Sequence, residues 1–111
     1  MKYTIYQIPF PNNKKEEEIY CKYAFTSLDR LKKRGEYVHI ENYKSVYSGD
    51  INTKNFTDII EVLEEIFKIF NLNHPEDFHG HSLSVSDIVK IDNKYYFCDS
   101  FGWKEVELKL I

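Results

Sequence analysis

The sequence predicts an α+β domain: an antiparallel sheet with a C-terminal three-stranded meander, packed by one long amphipathic helix and a shorter helix. Three observations carry this. Phe56, Ile59, Ile60, Leu63, Ile66, Phe67 and Phe70 recur at the three- and four-residue spacing of one helical face. Residues 85–91 and 95–101 are β-rich and flank Asp92-Asn93-Lys94, whose Asp and Asn tolerate the positive φ of a hairpin connection. After Gly102, residues 103–110 alternate Val106, Leu108 and Leu110 with Glu105, Glu107 and Lys109, the two-residue period of a strand with one wet face.

From the N-terminus, residues 3–8 are β-branched and aromatic and stop at Pro9, which reads as a first strand extending the sheet. Pro9, Pro11, Asn12 and Asn13 make a loop, residues 14–18 are a solvated charge run suited to a turn or short helix, and residues 20–25 read as a second strand. Thr26 or Ser27 caps a short helix through Arg34, with Leu28 and Leu31 facing inward and Gly35 at the left-handed position that ends it. Tyr37, Val38 and Ile40 lead through Glu41 and Asn42 to a strand at residues 43–48. The long helix starts near Asn55 and Asp58, carries Glu61, Glu64, Glu65 and Lys68 on its wet side, and ends at Asn71 and Asn73 before His74-Pro75. Val62 and Ile69 fall outside its apolar stripe, as if the helix met a further neighbour.

A chain of 111 residues forms a single domain, residues 1–111, and 16% aromatic content supplies the apolar surface that disordered segments lack. No apolar run suffices for a membrane span, and the N-terminus carries no export signal. With only Cys21 and Cys98, both expected to be small buried strand residues rather than redox partners, a reducing cytoplasm is the expected compartment. The net charge of −3 argues against general nucleic-acid binding. It is unevenly distributed: residues 1–55 carry ten basic and seven acidic side chains, residues 56–111 five and eleven. Such a dipole steers charged partners.

Chemistry-bearing residues gather in few places. His74, His79 and His81, with Glu76 and Asp77, share one loop, whose spacing fits no common zinc arrangement and which has no nucleophile beside it. Its expected role is a structural turn, with metal-dependent or acid–base chemistry as the rival reading. Arg30, Lys32, Lys33 and Arg34 with Tyr37 combine cations and rings as single-strand binding requires, yet cations at a helix C-terminus also suit the helix dipole. Nine tyrosines and eight phenylalanines exceed what a core of this size hides, so several of Tyr3, Tyr6, Tyr43, Tyr47, Tyr95 and Tyr96 should be partly exposed, as at protein interfaces. Asp99 and Ser100 are explained by a turn, and no phosphate loop, paired carboxylates or nucleophile elbow occurs. No catalytic residue, metal or cofactor is assigned.

The run Phe70-Asn-Leu-Asn-His-Pro-Glu-Asp-Phe-His-Gly-His-Ser-Leu-Ser-Val-Ser-Asp-Ile-Val89, followed by Tyr96-Phe-Cys-Asp-Ser-Phe-Gly102, resembles the YodL-like domain. Leu28-Asp-Arg-Leu31 and Asn42-Tyr-Lys-Ser-Val-Tyr47 fit the same pattern. The resemblance implies a component of a conjugative element, plasmid or phage of Gram-positive bacteria, often one module of a larger polyvalent protein beside DNA-processing or antirestriction modules. The expectation is a non-enzymatic protein that binds and inhibits or modulates a host protein, such as a defence nuclease complex. An acidic face offered to a nucleic-acid channel would act as a phosphate decoy. Glu61, Glu64, Glu65, Glu76, Asp77, Glu105 and Glu107, with Tyr43 and Tyr47, are the candidate contact residues. A nucleic-acid accessory module using Arg30 to Tyr43 is the second reading.

Overall fold

The computed structural model describes residues 1–107. A five-stranded antiparallel sheet runs in the order β2-β1-β3-β4-β5. Its strands are β1 (Lys2–Gln7), β2 (Lys44–Asp50), β3 (Ile88–Ile91), β4 (Lys94–Asp99) and β5 (Gly102–Val106), and its helices are α1 (Lys14–Tyr23), α2 (Leu28–Lys33) and α3 (Ile59–Leu72). The last three strands form the expected meander, turned by Asp92 and Asn93 at φ 50° and 67° and by Gly102 at φ 85°. The first strand does more than extend the sheet, since β1 sits between β2 and β3 and pairs with both. Leu108, Lys109 and Leu110 of the expected last strand lie outside the described residues.

Side chains alternate across β1, so its two faces enter two cores. Tyr3 and Ile5 join Val89, Ile91, Tyr96, Cys98 and Trp103 beneath Val62, Leu63, Ile66 and Phe70 of α3. On the other face Ile88 and Phe97 pack with Leu31 and Val38, edged by Tyr6, Tyr23, Leu28 and Val106. The long helix therefore covers one face, as expected, and the short helix contributes to the cover of the other.

Several boundaries and one element differ from the sequence reading. Residues 20–25 are not a strand: α1 runs through Tyr23. Asn13 caps it by accepting from the Glu16 amide, while the Glu16 carboxylate accepts from the Asn12 amide and the Asn13 side chain. This reciprocal cap satisfies N-terminal donors and outweighs the β-like composition that follows. The same correction moves Cys21 to an exposed helical position, while Cys98 is buried in β4, and both are free thiols. The long helix begins at Ile59 rather than near Asn55, because Asp58 is the residue whose side chain accepts from the Glu61 amide. From that start Val62 turns into the core and Ile60 turns out, reversing their expected places. Ser27, not Thr26, caps α2, and Gly35 adopts φ 72° after it. Residues 85–87 form a turn before β3, with Ser86 at φ 86°, so that strand starts at Ile88.

Candidate functional site

The end of β1 meets the loop that follows α3. Gln7 occupies the inward position two residues beyond Ile5, where the strand pattern calls for an apolar residue, and it is buried. A buried amide needs partners. Its Nε2 donates to the His81 carbonyl at 2.8 Å and to Asp87 Oδ2 at 3.1 Å, and its Oε1 accepts from the His81 amide at 3.2 Å. Asp87, 1% exposed, also accepts from the Ser84 amide at 2.9 Å, and its other oxygen lies 3.8 Å from His81 Nε2. His81 Nδ1 donates to the Ser82 carbonyl at 2.7 Å, which fixes the ring. Burial pushes the Asp87 carboxyl up to about 7, against the lowering effect of the Ser84 amide and Gln7.

Phe25 and Ser86 extend this centre. Both hold left-handed backbone, at φ 58° and 86°, and the Phe25 amide donates to Ser86 Oγ at 2.9 Å. A bulky residue in that region is an outlier whose strain the surroundings must hold. The Tyr43 hydroxyl donates to the Ser86 carbonyl at 2.7 Å, and burial, then the Asp87 charge, raises its pKa. Against this network lies a cleft of about 320 Å³ between α1 and the sheet, lined by its members Gln7, Phe25 and His81 together with Phe10, Tyr20, Val46 and His79 among others. Gly80 closes its floor: a Cβ there would stand 2.4 Å from Gln7 Oε1 and 2.9 Å from the Phe78 ring. Because Gln7 is pinned on three sides, Gly80→Ala is expected to cost ~1–3 kcal/mol in chemical denaturation.

The sequence candidates divide. Glu61, Glu64 and Glu65 come together on the outer side of α3, around an open groove of about 780 Å³ with Phe56, Ile60, Phe67 and Leu72. Glu61 also accepts from the Thr57 amide and hydroxyl, tying down the helix start. The other acidic candidates do not join them: Glu76 and Asp77 lie on the loop after α3, Glu105 faces Lys94 across the β4–β5 pair at 3.6 Å, and Glu107 follows β5. Of the tyrosines expected to be partly exposed, Tyr3 and Tyr96 are buried. Tyr47 is half-buried against Tyr3, Phe70 and Phe78, and half-buried Tyr43 is engaged with Ser86. The cations of α2 are partly engaged as well, Lys33 with Asp29 at 3.2 Å and Arg34 with the Lys22 carbonyl at 2.8 Å, while Arg30, Lys32 and Tyr37 are exposed.

The histidine loop is bound into the fold by Gln7 and by Asn71, whose amide donates to the Leu83 carbonyl at 3.1 Å. His74 donates to the Pro75 carbonyl and rests on Phe78. Among the described residues no group of three metal-binding side chains converges. Burial and then the Asp87, Glu64 and Asp99 charges push the Cys98 thiol up to about 12, so it stays protonated at neutral pH. Among the described residues no helix is long and apolar enough to cross a membrane.

The sequence reading passed over Gln7, Asp87 and Phe25. Gln7 left one signal, a polar residue in phase with Tyr3 and Ile5; Asp87 and Phe25 left none, since their partners are distant in sequence.

The chain is 34% identical over 76 residues to an uncharacterised protein of Acanthamoeba polyphaga mimivirus, covering 60% of this chain and 70% of that one. No solved structure matches it. The YodL-like domain matches residues 2–108, end to end with the fold described, and the chain belongs to that family.

Proposed function

We propose that the chain is a non-enzymatic binding protein of a mobile genetic element, such as a phage or plasmid, that docks on a host protein and inhibits or modulates it. The outer face of α3 carries the reading. Ile60 and Leu72 are exposed there, and among the described residues that line the groove the charged ones are Asp58, Glu61, Glu64 and Glu65 with one cation, Lys68. Exposed apolar side chains rimmed by one sign of charge suit a basic protein surface, and the acidic rim would speed the encounter and set its orientation. Nucleic-acid channels are such surfaces, which makes a defence nuclease complex the favoured target, with α3 in the place of phosphates. Family membership and a viral relative support the mobile-element setting.

The test reverses Glu64 and Glu65 to Lys, leaving Asp58 and Glu61 to cap the helix. A host protein captured on the native chain is purified and titrated against both forms. Affinity is expected to fall at least ~10-fold with the double reversal, and native binding to weaken steeply with salt. Equal affinities at low salt would sink the reading.

A further inference from the structure

A pocket of about 380 Å³ lies beside the α3 groove and shares two of its lining residues, Glu64 and Phe67. Phe67 and Trp103 meet edge to face at 6.4 Å in its wall. Among the described residues that line it, the charged ones are Glu64 and Asp99, both carboxylates. Asp99 is held in place, since its Oδ1 accepts from the Leu28 amide at 3.2 Å and from the Ser100 amide at 2.9 Å. Glu64 is exposed and has no hydrogen bond or ion pair among the described residues. Ser84 Oγ, also in the wall, is buried and without a partner, although the Ser84 amide is tied to Asp87. Native folds rarely leave such a hydroxyl unmet. The negative field reaches Cys98, whose thiol is raised by burial and then by the Asp87, Glu64 and Asp99 charges.

Two carboxylates, an unmet hydroxyl and two aromatic rings call for a cation that is flat and rich in N–H donors. A guanidinium carries its donors in one plane, lies against aromatic rings and is weakly hydrated. An ammonium is a compact, strongly hydrated charge that cannot spread along a ring. We propose that this pocket receives an arginine side chain of the protein that docks on α3, its guanidinium set between Glu64 and Asp99 with Ser84 Oγ as a further acceptor. The proposal rests on the docking reading above and adds to it the residue that anchors the partner. Continuity with the groove through Glu64 and Phe67 brings such a side chain within reach from the α3 face. Arginines seated in this way are frequent hot spots of protein interfaces.

The experiment titrates N-acetyl-arginine methylamide into isotope-labelled protein and follows the amide and indole resonances. Saturable shifts at Ser84, Ser100, Gly102 and Trp103 are expected, and none with the citrulline analogue, which keeps the shape but lacks the charge. Glu64→Gln is expected to weaken binding ~5–10-fold. Ser84→Ala should weaken it as well while Tm holds, because the hydroxyl it removes has no partner in the fold. Glu65→Gln, which lies on the groove but not in the pocket, should bind as the native chain does. The proposal falls if tens of millimolar of the arginine compound give no saturable shift at these residues, if citrulline or lysine methylamide binds equally, or if Glu64→Gln and Ser84→Ala both bind like the native chain. The captured host protein separates this from the docking reading. If the Glu64 and Glu65 reversal weakens its binding while Ser84→Ala does not, the α3 surface stands and the arginine anchor is overturned; if Ser84→Ala weakens it too, the anchor is supported.

Discussion

Phe70→Ala is expected to remove ~3–5 kcal/mol of stability, lowering the urea midpoint by ~2 M. Phe70 has no exposed surface, and its ring meets those of Tyr3, Tyr47 and Phe78 at centroid distances of 6.1, 5.2 and 4.8 Å, all close to edge-on. It is where α3, two strands and the histidine loop meet, so truncation opens a cavity that no single neighbour can fill. Against a total of ~5–15 kcal/mol for a domain, this is a large share. Phe67→Ala, at a half-buried position beside Trp103, should cost clearly less. Equal losses at the two positions would mean that Phe70 is not the joint between these elements.

The second large effect is on pH dependence. Burial raises the Asp87 carboxyl from 3.8 to about 7 in the folded protein, so the folded state holds this proton where the unfolded chain has released it. Stability from this group is therefore full below about pH 4, declines as pH rises toward 7, and levels off above it. The whole displacement corresponds to ~4 kcal/mol. Asp87→Asn keeps the size and an acceptor for the Ser84 amide but carries no titrating group. The Tm of the variant minus that of the native protein should rise by ~10 °C between pH 5 and pH 8. The groups facing Asp87 are Gln7, Ser84, His81 and the Tyr43 and Cys98 side chains. A difference that stays flat with pH would show that Asp87 takes up no proton on folding.

Sequence legibility followed the range of the forces involved. α3 was readable because its apolar period and Asp58 lie within one stretch, and α2 because Ser27, Leu31 and Gly35 punctuate it locally. The meander was readable from Asp92, Asn93 and Gly102, whose backbone the turns demand. α1 was misread because Tyr20, Cys21 and Tyr23 look strand-like one by one, although the Asn13–Glu16 cap was present in the sequence. The polar centre was not readable as a unit: Gln7, Phe25, His81 and Asp87 meet only when residues some 60 to 80 positions apart are brought together. The acidic stripe at Glu61, Glu64 and Glu65 was local and legible, whereas Glu76, Asp77, Glu105 and Glu107 show that charge composition alone does not define a surface.

No residue of α1 is fully buried, and Tyr20 reaches the cleft from it. What holds α1 is polar and peripheral, the Tyr23 hydroxyl on Glu36, Lys22 beside the same carboxylate and Arg34 on the Lys22 carbonyl, so its amides are expected to lose hydrogen-exchange protection before those of the sheet.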